Sequence, residues 1–154
     1  MMLHFAYGSN MSRAQMGARC PGASALGTAN LDNWRFVIGV EGHGSIVPWP
    51  GAIVLGVLWR VGARELAAIN AYENLDSGLY VRRIVPVRSA AGLVPALVYI
   101  LRRSGKGTPR PGYIHLVVEA ARDWELPDQY VDALRRWSPS GWRGTRPKDT
   151  GEIR

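Results

Sequence analysis

The stretch that most limits the folds open to this chain is Phe5-Ala6-Tyr7-Gly8-Ser9-Asn10-Met11. Leu3 to Tyr7 reads as a short buried strand, which Gly8 breaks into small and polar residues ahead of a helix expected over Ser12 to Cys20. Gly8 admits backbone angles closed to other residues and lets a ligand come close, while Ser9 or Asn10 is a natural N-cap. Free N–H groups at a helix start attract anions, so the same turn can cradle a carboxylate or phosphate. The plainer reading is a helix cap and nothing more.

The rest of the chain is organised around that strand. Within the expected first helix, Met11, Ala14 and Ala18 fall on one side, and Pro21-Gly22 ends it. Ala25 to Asn30 and Trp34 to Val40 read as two strands joined by a turn at Asn30, Asp32 and Asn33. Glu41 to Gly51 reads as a loop with a short strand at Ser45 to Pro48, followed by a buried strand over Ile53 to Val61. Ala63 to Glu73 carries the clearest helical spacing, Asn74 to Gly78 is a turn, and Leu79 to Val87 pairs with Val94 to Leu101 through Ser89-Ala90-Ala91-Gly92. Two late helices are expected. Ile114, Val117, Val118 and Ala121 mark the face of one (Gly112 to Trp124), and Tyr130, Ala133, Leu134 and Trp137 that of the other (Pro127 to Trp137). Strands with few intervening helices, then two terminal helices, argue an α+β domain with a curled or barrel-like mixed sheet. With 154 residues and 47% hydrophobic content, one domain over residues 1–137 is expected, followed by an irregular tail over 138–154.

Glu73 is the candidate for chemistry. On the helix face marked by Leu66, Ile69 and Asn70 it lies seven residues after Leu66 and four after Ile69, so a carboxylate emerges on the apolar side. Burial and the negative end of the helix should both raise its pKa toward the range where a carboxyl takes and returns a proton. A glutamate fraying outward is the alternative. Tyr72, Tyr80, Tyr99 and Tyr113 offer hydroxyl donors, though such residues commonly fill cores with the hydroxyl at the rim. His4, His43 and His115 show no metal-ligand spacing and read as structural or exposed, and Ser9 lacks the second glycine of a nucleophile elbow.

Cys20 is the only cysteine, which excludes an internal disulfide and a multi-cysteine metal cage. A reducing, cytoplasmic setting is expected, with no basic leader and no run long enough to span a membrane. The charge balance, 19 − 12 = +7, is spread over Arg82, Arg83, Arg102, Arg103, Arg110, Arg135, Arg136 and the tail. It forms no block, so nucleic acid is not the expected partner.

Taken together, the Tyr7-Gly8-Ser9-Asn10 turn, Gly56-Val57-Leu58-Trp59 before a helix, and Tyr72-Glu73-Asn74 leading to Ser77-Gly78-Leu79-Tyr80 resemble the γ-glutamylcyclotransferase (AIG2-like) family. Tyr99, Pro111-Gly112-Tyr113 and Leu126-Pro127-Asp128-Gln129-Tyr130 extend the resemblance from Leu3 to Trp137. It implies a small mixed β-barrel with short helices, requiring no metal and no cofactor, that turns γ-glutamyl compounds into 5-oxoproline and a free amine. On that resemblance Tyr7, Gly8, Ser9 and Asn10 hold substrate, Glu73 is the acid/base, and Tyr80, Tyr99 and Tyr113 line the cavity. Asn74, where the family commonly has glycine, and Met11, where it has leucine, depart from the pattern. The competing readings are a non-catalytic metabolite-binding module of the same fold and a basic nucleic-acid adaptor. Monomer and homodimer both remain open, as does the identity of the leaving amine.

Overall fold

Five strands and four helices succeed one another in a computed structural model that describes residues 2–73, 78–103 and 105–138. The strands β1 (Met2–Ala6), β2 (Ser24–Ile38), β3 (Gly44–Val61), β4 (Tyr80–Ser89) and β5 (Gly92–Leu101) close into a barrel in the order β1-β3-β2-β4-β5. The helices are α1 (Arg13–Arg19), α2 (Ala63–Tyr72), α3 (Tyr113–Asp123) and α4 (Asp128–Arg135). This is the mixed α+β barrel expected from the pattern of strands. The turn expected at Asn74 to Ser77 and the tail from Pro139 onward lie outside the described residues.

The barrel is built from two pieces. β3 runs antiparallel to both β1 and β2, giving a three-stranded sheet, while β4 and β5 form a hairpin in which Ser89 faces Gly92. The pieces meet at two sparse seams, Asn30 opposite Arg88 between β2 and β4, and His4 opposite Leu97 in parallel between β1 and β5. A side chain reinforces each: Arg88 Nη2 reaches Asp32 Oδ2 at 2.6 Å, and His4 Nδ1 donates to the Leu97 carbonyl at 3.3 Å.

Phe5, Ile46, Val54, Val57, Val87 and Val98 are fully buried in the core. Each such side chain contributes about 1.5–3 kcal/mol relative to exposure. Gly56 sets the spacing of β1 and β3, since a Cβ there would stand 2.2 Å from the Ala6 carbonyl oxygen and 2.9 Å from the Phe5 ring. At the start of α2 the Gly62 N–H donates to Glu65 Oε1 at 2.9 Å, satisfying one orphan donor of the helix.

Three local expectations are corrected. The turn at Asn30 to Asn33 and the loop at Glu41 to Gly51 are parts of one continuous hairpin. Asn33 takes a positive φ of 68° and its Oδ1 accepts from Gly51 N–H at 2.9 Å, so residues 49–52 of β3 bulge against a single residue of β2. In α1 the buried residue is Met16, while Ala14 and Ala18 face outward. In α4, Val131 and Leu134 are buried where Tyr130, Ala133 and Trp137 are only half-buried.

Candidate active site

β1 ends at Ala6, and the chain then enters a 3-10 turn over Ser9–Met11 before Ser12 starts α1. Ser12, rather than Ser9 or Asn10, is the cap of that helix, its hydroxyl accepting from Gln15 N–H at 3.2 Å. Ser9 and Asn10 are instead buried, and the bend they form is tied to α3 by Trp124 Nε1, which donates to the Met11 carbonyl at 2.8 Å.

Glu73 ends α2, with its N–H donating to the Ile69 carbonyl at 2.9 Å. The helix phase carries its half-buried side chain to the same cavity of about 40 Å³ that Tyr7, Gly8, Ser9 and Asn10 line. Tyr80, Tyr99 and Tyr113 line it too, so the structure brings all eight site residues expected from the sequence around one hollow. Among the described residues, Glu73 is the sole acidic side chain on its wall. The volume is enough for a few waters that a polar ligand would displace.

The tyrosines are locked in place. Tyr7 Oη donates to the Tyr99 carbonyl at 2.5 Å, Tyr99 Oη to Asn70 Oδ1, and Tyr80 Oη to the Gly44 carbonyl at 3.0 Å. The Tyr113 hydroxyl sits in a gap left by two glycines: a Cβ on Gly8 would come within 2.6 Å of it and one on Gly44 within 2.5 Å. Burial, with the charge of Glu73 adding to it, raises the pKa of Tyr7, Tyr80, Tyr99 and Tyr113. The phenols therefore stay neutral at physiological pH, as hydrogen-bonding groups and not bases.

Three neighbours of the site lie outside the set expected from the sequence. Arg19, from α1, donates through Nη1 to Ser9 Oγ at 3.2 Å and to Asn10 Oδ1, and through Nη2 to Gln15 Oε1 at 2.6 Å and Tyr72 Oη at 2.5 Å. Its guanidinium carbon lies 3.5 Å from the centroid of the Tyr72 ring. Burial lowers the pKa of Arg19, opposed by Tyr72 and the carboxylate of Glu73. His4 and His43, expected to be structural or exposed, both line the cavity, and His4 is 2% exposed. Only the spacing of Arg19 behind the buried Met16 hinted at its direction; nothing in the sequence marks either histidine.

Arg102, Arg103 and Arg110, which a nucleic-acid adaptor would use, are exposed, and the tail it also needs lies outside the described residues. No helix among the described residues is long and apolar enough to cross a membrane.

Comparison with known proteins gives concordant matches. The model of the AIG2-like family matches residues 53–134. Mouse gamma-glutamylcyclotransferase is 28% identical and human gamma-glutamylcyclotransferase 26% identical, each alignment covering 98% of this chain and 86% of the relative. A solved gamma-glutamyl cyclotransferase superposes with a TM-score of 0.85 at 25% identity, over 99% of this chain and 93% of that one.

Proposed function

The chain belongs to the AIG2-like family, and from that premise we propose that it is a γ-glutamylcyclotransferase-type enzyme, releasing 5-oxoproline and a free amine from a γ-glutamyl compound. One observation supports the reading above the others: Glu73, the one carboxylate on the wall among the described residues, shares a small cavity with the amide-lined bend Tyr7–Asn10. The substrate brings its own nucleophile. Closing a five-membered ring needs the glutamyl chain held folded, and such positioning supplies several kcal/mol of the barrier, on the order of 7–11 in favourable intramolecular cases.

In this reading the leading amides of the 3-10 turn hold the α-carboxylate or the oxyanion that develops on the γ-carbonyl. The side chains of Ser9 and Asn10 are engaged by Arg19, which fixes the bend and adds positive potential behind it. Glu73 takes one proton from the α-ammonium, and the freed amine attacks the γ-carbonyl carbon. As the tetrahedral intermediate collapses, the bond to the departing nitrogen breaks and Glu73 delivers its proton there. The second proton shed by the ring nitrogen also ends on the departing amine, which leaves as an ammonium ion. The neutral tyrosines shape the pocket and offer no competing base.

Glu73→Gln keeps the shape and removes the basicity. In an assay of 5-oxoproline release over a panel of γ-glutamyl amino acids, peptides and amines, the variant is expected to lose at least a hundredfold in kcat with its melting temperature little changed. Wild-type turnover by that variant would remove Glu73 from the mechanism.

A further inference from the structure

His4 sits in β1 at the parallel seam, its ring edge-on to Tyr99 with centroids 5.5 Å apart. Its Nδ1 lies 3.3 Å from the Leu97 carbonyl oxygen, which can only accept, so the ring proton is on Nδ1 and Nε2 is a bare lone pair. That Nε2 is fully buried and has no hydrogen-bond partner among the described residues. Burial also lowers the pKa of His4 to about 4, so the ring does not relieve the deficit by taking up a proton at neutral pH. Buried acceptors of this kind are ordinarily paired, and a residue on the wall of a cavity can receive its partner from a ligand.

We propose that His4 is a substrate-contacting residue whose Nε2 accepts a hydrogen bond from the α-ammonium of the bound γ-glutamyl head. This rests on the γ-glutamyl reading above. The ammonium carries three N–H groups; Glu73 takes the proton that must leave, and His4 holds a second. With two of its bonds directed, the nitrogen turns its emerging lone pair toward the γ-carbonyl. An uncharged imidazole suits the task, because a cationic one would repel the ammonium.

The test uses the full-length Glu73→Gln protein, in which turnover is blocked, and compares by calorimetry a γ-glutamyl amide with the corresponding glutaryl amide, which lacks only the α-amino group. Two substitutions separate substrate contact from support of the seam. His4→Asn keeps a donor for the Leu97 carbonyl and deletes Nε2, whereas His4→Gln places an acceptor oxygen near Nε2. Deleting the amino group is expected to weaken binding about tenfold more with His4 present than with Asn, and Gln restores at least part of the difference. A difference under threefold, or restoration by Asn and not by Gln, overturns the proposal while the γ-glutamyl reading stands. Failure of the His4 protein to bind either ligand overturns both. Should a His4 variant fail to fold, the ¹⁵N resonance of His4 Nε2 in the His4 protein decides. It is expected to shift on adding the γ-glutamyl amide and not the glutaryl amide; an equal response to both overturns the contact.

Discussion

The Tyr113 hydroxyl constrains Gly8 at the residue scale. The space beside Gly8 is already taken: an alanine Cβ there would meet the Tyr113 hydroxyl at 2.6 Å. Gly8→Ala is expected to cost about 1–3 kcal/mol in urea unfolding and to lower activity, and Tyr113→Phe added to it should recover stability by removing the colliding oxygen. His4 carries a second residue-scale consequence. Its pKa is about 4 in the folded protein against 6.5 for an exposed imidazole, so between those values the unfolded chain binds the extra proton. The contribution is complete above pH 6.5 and is lost as pH falls toward 4, amounting to about 3 kcal/mol. Unfolding of wild type and His4→Gln across that range should show wild type losing stability faster. Glu73 could be found in the sequence because helical phase alone ties it to Leu66 and Ile69. Arg19 and His4 could not: what distinguishes them is the Tyr72 hydroxyl 53 residues from one and the Leu97 carbonyl 93 residues from the other.

Among the elements, the β2–β3 hairpin shows why local signals were misread there. Asn33, Pro48, Pro50 and Gly51 are turn formers by propensity, and sequence reasoning placed a turn and a loop where the backbone continues. The bulge uses the same chemistry for another end, with Asn33 at positive φ accepting from Gly51, itself at φ 85°. Asn33→Ala loses the acceptor and strains the backbone, so it should cost about 1–2 kcal/mol in urea unfolding, whereas Asn33→Gly should cost less. Since Asn33 does not line the cavity, 5-oxoproline release per folded molecule should be unchanged in both. The helices were more legible. The four residues marking the face of α3 are all buried as spaced, in an eleven-residue helix whose wide apolar stripe packs against α4 and the 3-10 turn. Pro86 opposite Pro95 belongs to the same scale. Neither has an N–H to offer, which helps explain why β4 and β5 touch their outer neighbours at one pairing each.

The molecule as a whole is a sheet and a hairpin latched along two seams, and the candidate site gathers at the seam between β1 and β5. His4 and Tyr7 come from one side of it, and Leu97 and Tyr99 from the other. Chain order gives this geometry a history during synthesis. When β3 is complete at Val61, β1 can pair on one edge, but its other edge waits for Leu97, 36 residues further on (97 − 61), and Tyr113 follows later still. At typical translation speeds the wait is roughly two to seven seconds, long for a strand with one edge open. The pocket is therefore completed late around a bend made earlier in synthesis, and a chain released before its fifth strand would carry the bend without the far wall that completes it.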